Sequence, residues 1–143
     1  MSSSNLVYPM FAMVLLTVVV LVTLFRSRVR AVREGSVASR YFRVYQGDSE
    51  PAQSAQAARH FVNLFEAPVL FYAGCLAAMV LGHVDMVAII MAWLYVAART
   101  VHAAVHLGSN RLRARIAAYA FGWLILPAFW IRLVLVVAMT QQG

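Results

Sequence analysis

The chain has 143 residues, of which 63% are hydrophobic and 12% charged, and it carries a net charge of +7. An average soluble domain is about 45–50% apolar, so the composition excludes an ordinary water-soluble globule and points to a membrane protein. All twelve basic residues are arginine.

Four apolar runs follow one another, about Tyr8–Phe25, Phe61–Gly82, Met86–Val105 and Ile116–Met139. Each is near the ~20 residues needed to cross ~30 Å of hydrocarbon. Lipid leaves helices or closed barrels as the spanning options, and the runs lack strict alternation. The sequence therefore predicts an all-α integral membrane four-helix bundle, up-and-down, as one domain over residues 1–143. No basic residue precedes the first run, and no small-residue cleavage site follows it before the arginines, so it is expected to stay as the first span. The long loop, about 26–58, opens on "RSRVRAVREG", read as an extension of helix one into water. It closes on "YQGDSEPAQSAQAA", where Gly47 and Pro51 break structure and Gln53 or Ser54 starts the next helix.

Seven arginines (Arg26, Arg28, Arg30, Arg33, Arg40, Arg43 and Arg59) lie between the first two spans, and Arg111, Arg113 and Arg115 lie between the last two. The tail "MSSSN", the turn "GHVD" and the end "TQQG" have none. By the positive-inside rule both arginine-rich loops face the cytoplasm and both termini face the other side. Topology and anionic headgroups account for the charge better than nucleic acid does. Cys75 is the lone cysteine, which excludes an intramolecular disulfide and a thiolate metal site.

The polar residues inside the spans ask for a reason. In "RHFVNLFEAP" Arg59, Asn63 and Glu66 have i, i+4, i+7 spacing and would share one face of a continuous helix. Glu66 would lie about 10 Å beyond Arg59 along the axis. Span three offers Arg99, His102 and His106 at i, i+3, i+7, and Arg111, Arg115 and Tyr119 continue the pattern into span four. A charge near the bilayer centre costs about 2.5–3.5 kcal/mol, so one that remains faces a partner or a wet cavity. In the plainer reading, Glu66 only neutralises Arg99 and the loop arginines only hold headgroups. Metal is disfavoured because no second carboxylate or cysteine completes a set, and bis-histidine haem wants its ligands on facing helices.

The segments "RHFVNLFEAPVLFY" and "RTVHAAVHLGSNRLRARIAAY", in that order and on those spans, resemble the membrane-associated proteins in eicosanoid and glutathione metabolism, the MAPEG family. Arg59, Asn63 and Glu66 match one signature of that family. Arg99, His102, Leu107, Gly108, Arg111 and Arg115 match a second. The resemblance implies a homotrimer that binds glutathione as co-substrate in a cytosol-facing cleft between subunits, and that works on a hydrophobic small-molecule substrate arriving from the lipid. It also implies a chemical reason for the polar stripe. Arginine forks suit the two carboxylates of glutathione, Glu66 suits its ammonium, and Asn63 can donate and accept together.

The position matching the arginine thought to stabilise the thiolate is Arg115, and an arginine at the inner end of span one, Arg26, Arg28 or Arg30, is expected to contribute. Where synthase relatives carry tyrosine this chain has His106, and after Arg115 it has Ile116 where the prostaglandin-forming branch has serine. These departures argue against an eicosanoid synthase. The expectation is a glutathione-dependent transferase or peroxidase in a bacterial inner membrane, with its site on the cytoplasmic side. The alternative is a small transporter or lipid-binding scaffold without turnover.

Overall fold

A computed structural model describes residues 3–47 and 50–141. Every regular element among them is helical, and four stretches, Ser4–Arg33, Ala52–Val80, Met86–Leu107 and Leu112–Thr140, are long and apolar enough to cross a membrane. A 3-10 turn over Ser3–Leu6 leads into α1 (Val7–Arg33). Leu6, Met13 and Val20, seven residues apart, are fully buried, with Leu24 and Ala31 continuing the seam. Phe11, Val14, Leu15, Val18 and Val22 stand exposed around it. A narrow buried stripe in an otherwise apolar helix is the pattern of a span that packs on one side and meets lipid on the others. The helix stops where Gly35 takes φ +69°. The Gly35 N–H bonds to the Val32 carbonyl at 3.1 Å, and the Ser36 N–H to the Ala31 carbonyl at 3.0 Å, which closes the last turn as a Schellman motif.

The loop carries one helical turn, α2 (Tyr41–Val44), held against α1. The Arg28 guanidinium lies 5.0 Å from the Phe42 ring centroid and 5.7 Å from that of Tyr45, while its Nε donates to Glu50 Oε1 at 3.1 Å. The Ser54 hydroxyl donates to the same oxygen at 2.6 Å. A cation on aromatic faces with a carboxylate behind it fixes the loop to both helices.

The second span is two helices, α3 (Ala52–Asn63) and α4 (Ala67–Val80). Pro68 is the reason. Its ring lacks an N–H and clashes with the carbonyl four residues back, so the helix lets go over Leu64–Glu66 through tighter bonds from Leu64 to Phe61 and from Phe65 to Val62. Arg59, Asn63 and Glu66 therefore do not share one continuous helix face. Arg59 and Asn63 close α3, and Glu66 stands exposed beyond the break.

After the turn at Gly82 (φ +74°), α5 (Met86–Leu107) begins at Asp85, whose Oδ1 accepts from the Ala88 N–H at 2.9 Å. The other oxygen of Asp85 pairs with Arg132 of α6 (Leu112–Thr140). The Ala88 N–H first, and Arg132 after it, hold the Asp85 carboxyl below its ordinary range. A depressed carboxyl contributes stability above its unfolded value of about 3.9, and that stability disappears as pH falls through the folded value. Asp85→Ala is expected to lose about 1 kcal/mol at neutral pH through the missing cap. The gap from wild type should narrow as the medium is acidified, as thermal unfolding in detergent at several pH values will show.

α5 is the hub, packing on α6, α1 and α3. Small residues at the seams (Cys75, Ala78, Ala88 and Ala92, all buried) let backbones approach, as membrane helices require. Gly74 marks the tightest place: a Cβ there would lie 3.1 Å from the Phe129 ring and 3.2 Å from that of Trp130. Phe71 and Tyr95 stack at 4.6 Å between ring centroids and join α4 to α5.

Candidate functional site

The break at Pro68 frees the Asn63 carbonyl from the helix ladder, and Arg99 of α5 takes it up: its Nη2 donates to Asn63 O at 3.1 Å. Arg99 is 1% exposed. Its guanidinium lies 5.8 Å from the Tyr119 ring centroid, and Glu66 is within electrostatic range. The ion pairs among the described residues are Arg28–Glu50 and Arg132–Asp85. The partners of Arg99 are thus a backbone carbonyl and an aromatic face.

In front of Arg99 opens a cavity of about 560 Å³, within the ~300–1,000 Å³ typical of small-molecule sites. Three helices build its wall. Arg59 and Asn63 come from α3, His102 and His106 from α5, and Arg115, Ile116 and Tyr119 from α6. Two guanidiniums with no carboxylate on that wall make a receptor for an anion.

A chain of neutral side chains aims Arg115. Its Nη1 donates to Asn110 Oδ1 at 2.8 Å, Asn110 Nδ2 donates to Gln56 Oε1 at 3.2 Å, and Gln56 Nε2 donates to the His106 carbonyl. The turn between α5 and α6 presents Asn110 at φ +47°, a left-handed conformation that asparagine tolerates better than other residues with a Cβ. Asn110→Gly keeps that backbone and removes only the link to Arg115. It is expected to weaken binding of an anionic ligand about tenfold, or about 1.4 kcal/mol, with helix content by circular dichroism unchanged.

Three imidazoles meet at this wall, two of them on it and His60 behind. His60 of α3, fully buried, lies 5.3 Å from His102 and 4.9 Å from His106 between ring centroids, and His102 and His106 are 5.6 Å apart. His102 Nδ1 lies 3.1 Å from the carbonyl oxygen of Arg115. No group of three His, Cys, Asp or Glu among the described residues is disposed to hold a metal.

Of the positions singled out in the sequence, Arg59, Asn63, His102, His106 and Arg115 come together on the cavity, and Arg99 supports Asn63 from behind. Glu66 lies past the break and off the wall. Arg111 is exposed at the start of α6. Arg28 is engaged by Glu50, Phe42 and Tyr45, whereas Arg26 and Arg30 line a second cavity of about 240 Å³ with Gln53 and Gln56. Gln56 and Asn110 are neutral residues in no motif. The Gly108–Ser109 pair before Asn110 is the one local sequence signal of a turn there, and Gln56 has none. His60 is adjacent to Arg59 in the first signature, but its meeting with two residues of α5 requires the fold.

The family model of the MAPEG family matches residues 6–135, nearly the whole chain. The chain belongs to the MAPEG family. With four spans long and apolar enough for a bilayer, it is an integral membrane protein. No curated protein and no solved structure matches the chain. Within this MAPEG protein the cavity takes all its wall residues from the two stretches that carry the family signatures.

Proposed function

We propose that this protein is a membrane-bound glutathione-dependent transferase or peroxidase that acts on hydrophobic electrophiles. The carrying observation is the cavity wall: two arginines, an asparagine and two histidines converge from three helices, with no carboxylate opposing them. Glutathione offers two carboxylates, an ammonium and a thiol. Arg59 and Arg115 suit the anionic groups, Asn63 suits the peptide, and Glu66, exposed past the break, is the acceptor for the ammonium. A free thiol titrates at about 8.5, and a cation beside it raises the thiolate fraction at neutral pH. Arg115 fills that role. The thiolate then attacks carbon, or the oxygen of a peroxide, in a substrate delivered from the bilayer.

Family membership supports a homotrimer with the cleft between neighbouring subunits. In that assembly the span-one arginine is Arg26 or Arg30 rather than Arg28, because Glu50 already engages Arg28. Arginine placement supports a cleft on the cytoplasmic side with both termini on the other.

Calorimetric titration of reduced glutathione into detergent-solubilised protein tests the reading, with Glu66→Gln run alongside. Micromolar to millimolar binding by wild type that is weaker in Glu66→Gln is expected. A correctly assembled wild-type protein that takes up no glutathione leaves transport or lipid scaffolding in its place.

A further inference from the structure

Arg115 steadies the thiolate of the proposed transferase, and the thiol proton needs an acceptor. Resting on that reading, we propose that His102 is the base that takes this proton, so that glutathione is held as a thiolate beside an imidazolium, with His60 and His106 packed around it.

The tautomer comes from the hydrogen bond. A carbonyl oxygen only accepts, so His102 Nδ1, at 3.1 Å from Arg115 O, carries the hydrogen. The lone pair is then on Nε2, and Nε2 is buried with no hydrogen-bond partner. A buried acceptor left unpaired costs about 1–3 kcal/mol, and such a cost persists where a function uses the atom. The arrangement is that of a base oriented through its far nitrogen, with the orienting group supplied by the backbone of the residue that steadies the thiolate. His106 Nδ1 and both ring nitrogens of His60 are likewise buried and unpartnered. Three rings from two helices thus form a polar core in which four ring nitrogens have no hydrogen-bond partner.

The charges around His102 set when it can act. Its own helix brings Arg99 and His106, α3 brings His60 and Arg59, α6 brings Arg115 and Tyr119, and Glu66 before α4 bears on Arg99. On the α1 side, Arg26 and Arg30 lie beside Leu107. The arginines are the cations of the empty cleft. Bound glutathione adds two carboxylates that offset them, and the nascent thiolate pairs with the new cation, so the base becomes competent when the ligand is in place. In the step the S–H bond breaks, its electron pair stays on sulfur, and the proton bonds to Nε2. Sulfur then attacks an electrophilic carbon, as in 1-chloro-2,4-dinitrobenzene, and chloride departs with its bonding pair. The proton leaves His102 for water as product dissociates.

Proton accounting on the wild-type protein tests this without a mutant. Thiolate formed on binding is read from its ultraviolet absorbance, and proton release from calorimetry in buffers of different ionisation enthalpy. The expected result is thiolate with almost no proton released, because His102 keeps it. In His102→Gln the release returns to one proton per thiolate, and conjugation at neutral pH falls about 10²-fold, the deficit closing as pH approaches the thiol's own titration. One proton released per thiolate in wild type overturns the proposal, as does binding with no thiolate or a His102→Gln deficit constant with pH. Failure to bind glutathione at all is read separately in the same titration, and it removes the functional reading together with this one.

Discussion

Arg115→Ala is expected to cut the rate of glutathione conjugation about 10²–10³-fold, the loss seen when one preorganised donor to a developing anion is removed. The guanidinium stands on the cavity wall, and Asn110 and Gln56 hold its position from behind. Its work is electrostatic, so it is largest where the charge is largest, on the thiolate. Affinity for glutathione should fall far less than turnover, since Arg59 remains to hold a carboxylate. Arg115→Lys keeps the charge but loses the planar fork that meets Asn110 and the ligand together, and should recover only part of the rate. Steady-state kinetics with 1-chloro-2,4-dinitrobenzene, together with glutathione titration of each variant, will separate turnover from binding. Undiminished conjugation by Arg115→Ala would remove Arg115 from the chemistry.

Arg99→Met is expected to make the protein more stable and worse at binding. The competing magnitudes decide the sign. Arg99 is 1% exposed, its Nε has no partner, and it has no salt-bridged carboxylate, so the penalty for taking its charge out of water is poorly offset. That penalty is several kcal/mol. Against it stand one hydrogen bond from a charged group, about 1.5–3 kcal/mol, and a guanidinium near the Tyr119 ring, about 2 kcal/mol at most when desolvated. Methionine fills similar space without the charge, so the desolvation penalty disappears, set against about 1–3 kcal/mol for leaving the Asn63 carbonyl without its donor. The Asn63 carbonyl then loses its donor, the break at Pro68 loses its brace, and glutathione affinity should drop about tenfold or more. Thermal unfolding in detergent and titration of the same samples check both halves. A lower unfolding temperature would show that Arg99 is there for the fold and not for the cleft.

The two variants separate what steadies charge in the ligand from what shapes the wall that receives it. Asn110→Gly belongs with the second kind, because Asn110 acts on the ligand only through Arg115. His102 belongs with the first, through the proton.

The four spans were written in the sequence by itself, because hydrocarbon is a filter on one variable: a run of about 20 apolar residues has one low-energy option, and ten of the twelve arginines mark the two loops between spans without any three-dimensional knowledge. Spacing along α5 likewise announced Arg99, His102 and His106 as neighbours, since helix geometry alone stacks i, i+3 and i+7. Tertiary structure decided the rest. Pro68 breaks the helix that spacing assumes, so Glu66 leaves the face of Arg59 and Asn63 while the freed Asn63 carbonyl finds Arg99. Glu50 engages Arg28 and leaves Arg26 and Arg30 on the second cavity. His60 meets His102 and His106 only because α3 packs against α5. Periodicity orders residues along one helix. How helices are rotated against each other, and which of two neighbouring arginines reaches a carboxylate, depends on contacts between segments far apart in the chain, and those exist only once the bundle has packed.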